Sequence, residues 1–228
     1  MRKQSGLTLA ELLIGVFALA IAMSLLAYGV HSKRDEAMRI RCSNNLDLLA
    51  KGMAQYMGWD DRFYPWPSGR GGCGTKASPQ LGGAEWLATL YWVSWTGVTD
   101  PAVFNCPASL DDNEMGKKLG SNGCPGGRPL SEDAVSYAGM GDVSIGIYLV
   151  ERLGKSPAYA TSKLAIRDDF PPNEPMACDD TEGTVNHGRA RSMNVLFFDS
   201  HVEYWSEDRI DPERGVGMKG TRLVHLRN

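Results

Sequence analysis

One carboxylate stands where carboxylates are rare. From Leu7 to Val30 the only charged residue is Glu11, and an ionised group in such surroundings costs a few kcal/mol unless it meets a cation or a headgroup layer. A second concentration of reactive types lies near the C-terminus. Asp179, Asp180 and Asp199, with Glu182, offer the oxygen donors that Ca2+ prefers, although their spacing is not that of an EF-hand loop. His187, His201, Asp199 and Cys178 have the donor types of a zinc or nucleophilic site. Against that reading, the two histidines flank a strand instead of sharing a helical face, and neither H-E-x-x-H nor G-x-S-x-G occurs. The expectation is therefore a non-enzyme, with Ca2+ as the candidate cofactor.

Five cysteines are scattered without a C-x-x-C pair or zinc-finger spacing. Cys73, Cys106 and Cys124 fall in the loop-rich middle, where disulfides would restrict the unfolded chain most, and an odd total leaves at least one thiol over. Trp59, Phe63, Tyr64 and Trp66 are close enough together to bind a sugar or a partner, but such clusters usually pack, and packing is the expectation.

The elements that must position these groups follow from the pattern of the chain. At 228 residues with 43% apolar content there is material for one globular unit beyond the apolar N-terminal stretch. A net charge of -3 gives no electrostatic reason to expect nucleic acid as a partner. Residues 7–30 span about 36 Å as a helix, enough to cross a hydrocarbon layer of about 30 Å. Arg2 and Lys3 ahead of this span place the N-terminus in the cytoplasm and send the rest across the membrane.

The helix is expected to run on over 31–57, because Met38, Cys42, Leu46, Leu49, Met53 and Tyr56 recur at spacings of three and four. No proline occurs before Pro65, so one helix of about 50 residues is allowed. Further on, 84–95 reads as an apolar helix, 97–142 as turns and loops, and 143–150 as a buried strand. Met193 to Phe198 and His201 to Trp205 read as a hairpin around Asp199 and Ser200, although serine is a poor residue for the favoured two-residue turn. The whole reads as α+β.

The segment Gly6-Leu7-Thr8-Leu9-Ala10-Glu11-Leu12-Leu13 resembles the processing site of type IV prepilins and type II secretion pseudopilins. The resemblance implies cleavage after Gly6 by a prepilin peptidase, methylation of the new N-terminus at Leu7, and a role for Glu11 in assembly. Leu7 stands where phenylalanine is usual. Cleavage there would create an α-amino group four residues before Glu11, a suitable cation for it within one helix or between neighbours. An ordinary signal peptide cut near Ala20 or Ala22 is the other reading of the same stretch.

Cys42-Ser43-Asn44-Asn45-Leu46 resembles the Cys-x-x-Asn-Leu segment of a planctomycete-type subgroup of bacterial pilin-like proteins. His187 with Asp199-Ser200 resembles that subgroup's C-terminal signature, with eleven intervening residues in place of nine and serine in place of glycine. The resemblance covers the first sixty residues and about 175–205, and the middle only through Cys106-Pro107 and Ser136-Tyr137. It implies a long helix packed on an antiparallel sheet, with residues 1–6 a cytoplasmic leader and 58–228 an extracytoplasmic domain. It also implies a single-pass protein of the bacterial inner membrane. The expected function is a structural subunit of a secretion pseudopilus or type IV pilus-like filament, with prepilin peptidase, other pilin-like subunits and an inner-membrane assembly platform as partners. The alternative is a membrane-tethered extracytoplasmic binding module that uses the same anchor for export.

Overall fold

The computed structural model describes residues 8–65, 83–93, 96–109, 135–151, 153–157, 166–168, 170–179 and 192–205, together with Leu223 and Leu226. Helix α1, Leu9–Trp59, is 51 residues long. The chain divides into two compact units, Met1–Met38 and Arg39–Asn228, and α1 contributes to both.

The first unit is the apolar part of α1. Its large side chains from Leu9 to Val30 are between 46% and 78% exposed, so the helix buries none of its faces there. By length and composition this helix could cross a membrane.

In the second unit α1 is amphipathic. Cys42, Leu46, Leu49, Met53 and Tyr56 are buried, following the expected stripe, while Lys51 pairs with Asp47 at 2.6 Å on an outward face. The helix ends at Trp59 because the next turns are left-handed: Asp61 and Arg62 have φ of 50° and 70°, and the Arg62 amide returns to the Met57 carbonyl at 2.9 Å. Arg62 Nε then pairs with Asp168 at 2.5 Å, and the Tyr64 amide donates to the Ile166 carbonyl at 2.8 Å. These contacts anchor the helix exit to residues 166–168.

Helix α2 covers Gly83–Trp92, a short 3-10 helix covers Pro101–Phe104, and helix α3 covers Asp142–Glu151. Asp100 caps the 3-10 helix, accepting from the Ala102 amide at 2.9 Å, with Pro101 in the first turn where a missing N–H costs nothing. Strands β1 (Tyr137–Gly139), β2 (Pro175–Asp179), β3 (Met193–Phe197) and β4 (Val202–Trp205) form one antiparallel sheet in the order β1-β2-β3-β4. Every residue of β1, β2 and β3 is buried, which is why the apolar run of β3 shows no inside-outside alternation. Among the described residues, one core joins the α1 stripe, Trp86, Leu87 and Leu90 of α2, and Tyr137, Met176, Val195 and Phe197 of the sheet.

Aromatic rings fill the gap between the helix exit and the hairpin. Tyr64 stands edge-on to Phe198 at 5.2 Å, Phe198 packs on Phe170 at 4.6 Å, and Phe170 on Tyr148 at 4.9 Å. Trp86 donates its indole N–H to the Pro65 carbonyl at 2.9 Å. The described part of the aromatic segment thus packs as expected, apart from Trp59, which remains 62% exposed.

The expected strand at 143–150 is instead α3. Its residues are β-branched and apolar, and such a run does not separate a strand from a buried helix. The burial of Ile145 and Tyr148, one turn apart, is helical in period, and tertiary contacts override the strand preference.

Helix α2 approaches β1 so closely that a side chain at Gly139 is excluded, since a Cβ there would lie 2.7 Å from the Gly83 carbonyl oxygen. Gly139→Ala is expected to lower stability by about 2 kcal/mol, the scale of overpacking a filled core. Thermal unfolding of the chain in detergent micelles should then show Tm reduced by roughly 4–8 °C.

Candidate functional site

Two places in the described structure gather the residues singled out above, one in each unit. At the start of α1, Thr8 and Glu11 form a reciprocal cap. The Thr8 amide and hydroxyl donate to Glu11 Oε2 at 2.9 and 2.8 Å, and the Glu11 amide donates to Thr8 Oγ1 at 3.4 Å. A Thr-x-x-Glu box satisfies amides that the first helical turn leaves without partners. Glu11 therefore has a partner inside its own helix. Thr8 was not foreseen, and the signal that would have found it is the spacing of three between hydroxyl and carboxylate just before an apolar run. Gly6 and Leu7 lie outside the described residues.

In the second unit, one turn of α1 grips the segment after the 3-10 helix. Cys42 forms a disulfide with Cys106, with a Cα separation of 5.2 Å. One turn further on, Asn45 Nδ2 donates to the Asn105 carbonyl at 3.0 Å and to the Tyr137 hydroxyl at 3.2 Å. Cys42 and Asn45 are three residues apart, which puts them on one helical face. The same stretch joins the start of β1, where the Ser136 amide donates to the Phe104 carbonyl at 2.9 Å and the Ser109 and Ser136 hydroxyls meet at 2.9 Å.

Cys106 is thus paired with Cys42, a member of the apolar stripe, and not with Cys73 or Cys124, which lie outside the described residues. A stripe position and a crosslink position need the same inward direction, so periodicity alone could not tell them apart. Cys178 is buried on β2 and takes no part in the disulfide.

Asp179 lies behind this grip. It is fully buried at the end of β2, opposite Tyr137, and its Oδ2 accepts from the Asn194 amide at 2.8 Å and from Asn194 Nδ2 at 2.9 Å. Asn194 Nδ2 also reaches the Arg39 carbonyl at 3.4 Å. Burial, and then the Asp179 charge, push the Tyr137 phenol well above its ordinary pKa, against the opposing hydrogen bond from Asn45. Beside the grip is an open groove of about 370 Å³ lined by Arg41, Asn44, Asn45, Ala102, Asn105 and Pro107.

Asp179 and Asp199, two of the acids read as candidate Ca2+ ligands, do not converge. Asp179 sits beside Asn194, whereas Asp199 lies past Phe197 at the opposite end of the β2-β3 pair, on the order of 15 Å away at 3.3 Å per strand residue. Asp180 and His187 lie outside the described residues. The separation also dissolves the grouping of Cys178 with Asp199 and His201, since Cys178 pairs with Val195. At the hairpin, Asp199 Oδ1 accepts from the His201 amide at 3.2 Å and contacts the His201 ring, which stacks on Phe197 at 4.3 Å. Burial would raise the Asp199 carboxyl, but the hydrogen bonds from the His201 amide and ring hold it below the usual carboxylate range. Asp199 and His201 thus close a turn.

That turn contains Phe198, Asp199 and Ser200, bounded by a hydrogen bond from the Phe197 amide to the His201 carbonyl at 3.0 Å. Ser200 takes φ of 72°, the left-handed region that glycine occupies at no steric cost. This is the physical form of the poor fit expected of serine. Comparisons of the chain with family models, with curated proteins and with solved structures return no match.

Two expectations follow. Cys42→Ala opens a loop closed across a sequence separation of 64 and should cost about 4 kcal/mol in denaturant unfolding of the oxidised chain. Ser200→Gly should add about 1 kcal/mol in the same assay by relieving the left-handed turn.

Proposed function

We propose that this chain is a pilin-like structural subunit, cleaved after Gly6 by a prepilin peptidase and assembled through α1 into a type II secretion pseudopilus or a type IV pilus-like filament. The observation that carries the reading is the state of α1 from Leu9 to Val30. It is apolar on every face, exposed on every face, and interrupted only by Glu11 at its first turn. In water such a surface would aggregate. A bilayer first, and a bundle of like helices afterwards, are the two surroundings that cover it on all sides.

The Thr8–Glu11 cap lowers the cost of placing a carboxylate there, and the α-amino group created at Leu7 would supply a cation beside it. The motif around Gly6, the amphipathic continuation of α1 and the antiparallel sheet agree with the pilin-like resemblance. The globular part is then extracytoplasmic and the span lies in the inner membrane. The assembly platform and other pilin-like subunits are the partners. A tethered binding module would use the aromatic segment as its contact surface. Tyr64 is instead buried between Trp86 and Phe198, which ties the described part of that segment to packing.

Protein recovered from host membranes is expected to begin at Leu7. Glu11→Ala is expected to reduce crosslinks between neighbouring α1 helices by about ten-fold, the effect of losing roughly 1.4 kcal/mol per contact. A chain that keeps its leader, one that begins among the twenties, or undiminished crosslinking of Glu11→Ala would overturn the proposal.

A further inference from the structure

The Cys42–Cys106 disulfide has a carboxylate for a neighbour. One oxygen of Asp179 and both sulfurs lie within 4.8 Å of one another, and all three residues are buried. Three elements deliver them: α1, the segment after the 3-10 helix, and the last residue of β2. Nothing in the spacing of these residues along the chain brings them together. The fold does.

Two sulfurs and one carboxylate oxygen are the wrong donors for Ca2+ and the right ones for a borderline-soft divalent ion. Tetrahedral Zn2+ holds thiolates at about 2.3 Å and a carboxylate oxygen at about 2.0–2.2 Å, which sets its donors roughly 3.5–3.8 Å apart. The spread found here already falls within reach of that figure, and the Cα separation of 5.2 Å lets rotation of the two cysteine side chains complete it. While the disulfide stands, its sulfurs are bonded to each other and are poor ligands. We propose that on reduction Cys42, Cys106 and Asp179 become a site for a soft divalent ion of the Zn2+ type. The joint between α1 and the Cys106 segment is then closed covalently under oxidising conditions and by a metal under reducing ones, and the metal-bound form also ties in β2.

The remaining pieces fit such a site. Asn194 holds the Asp179 carboxylate with two donors on Oδ2, the kind of outer hydrogen bonding that orients a ligating carboxylate. Three protein donors leave the fourth tetrahedral position to water. The chemistry balances with a phosphine as reductant. Phosphine and one water convert the disulfide to two thiols and a phosphine oxide, and the ion then displaces two protons as the thiolates bind.

The test uses the full-length chain in detergent micelles, reduced with a phosphine and titrated with Co2+ without oxygen. Expected are sulfur-to-cobalt charge-transfer absorption and the visible bands of tetrahedral Co2+, saturating at one ion per chain and removed by Zn2+. The oxidised chain should show neither. A Cys73→Ser, Cys124→Ser, Cys178→Ser triple variant should keep the bands, Cys42→Ser should lose them, and Asp179→Asn should weaken binding by about ten-fold or more.

Zn2+ should also raise the Tm of the reduced chain, or restore its near-ultraviolet circular dichroism if reduction unfolds it. Absence of the bands or of any Zn2+ effect on the reduced chain would overturn the proposal. So would bands that survive in Cys42→Ser, vanish in the triple variant, or are unchanged in Asp179→Asn.

Discussion

A single turn of α1 carries two attachments of different kinds, and the 3-10 segment and β1 are held to it by them. Cys42 supplies a covalent bond to Cys106, and Asn45 supplies hydrogen bonds to the adjoining carbonyl and to the Tyr137 hydroxyl. The first attachment acts chiefly by restricting the unfolded chain, the second by satisfying buried polar groups in the folded one. Together they bring the 3-10 segment and the edge of the sheet against the same helical face that buries Leu46, Leu49, Met53 and Tyr56. Hydrophobic burial supplies the larger driving force, but it has no direction. The disulfide and Asn45 choose which loop lies on that face.

A comparable division holds within the sheet. β3 is a nearly unbroken apolar run, so hydrophobic burial alone does little to distinguish one register from the next. Asn194 is the polar exception. Its amide and side chain both bond Asp179, so a slip by one residue would leave a carboxylate and an amide buried without each other. Where β3 meets β4, Asp199 and His201 bound the reversal, and Ser200 accepts a left-handed conformation to complete it.

The parts of this molecule legible in its sequence are those governed by periodicity along one element. The length of α1, its apolar and amphipathic halves, α2 and the hairpin all follow from spacing within a few residues. What was not legible depends on residues far apart. The partner of Cys106 sits on α1 at a separation of 64, on a stripe whose pattern already explained a small buried side chain there. The segment around Ile145 and Tyr148 has strand-forming residues but packs as a helix, because its neighbours and not its propensities decide. Asp179 and Asp199 look like one acidic group in the sequence, yet an antiparallel pair of strands carries them to opposite ends. The Thr8–Glu11 pair is also local, a hydroxyl and a carboxylate three residues apart at the head of an apolar run.

The position of the disulfide along α1 has a mechanical consequence. Tension entering the second unit from the N-terminal side of the helix reaches Cys42 before it reaches Leu46, Leu49, Met53 or Tyr56. A pull that would otherwise shear those side chains out of their packing one turn after another is instead diverted through a sulfur-sulfur bond into the backbone beside Asn105 and onward to β1. Each dispersion contact is weak on its own. A covalent shunt at Cys42 passes part of the load toward β1 before those side chains have to bear it.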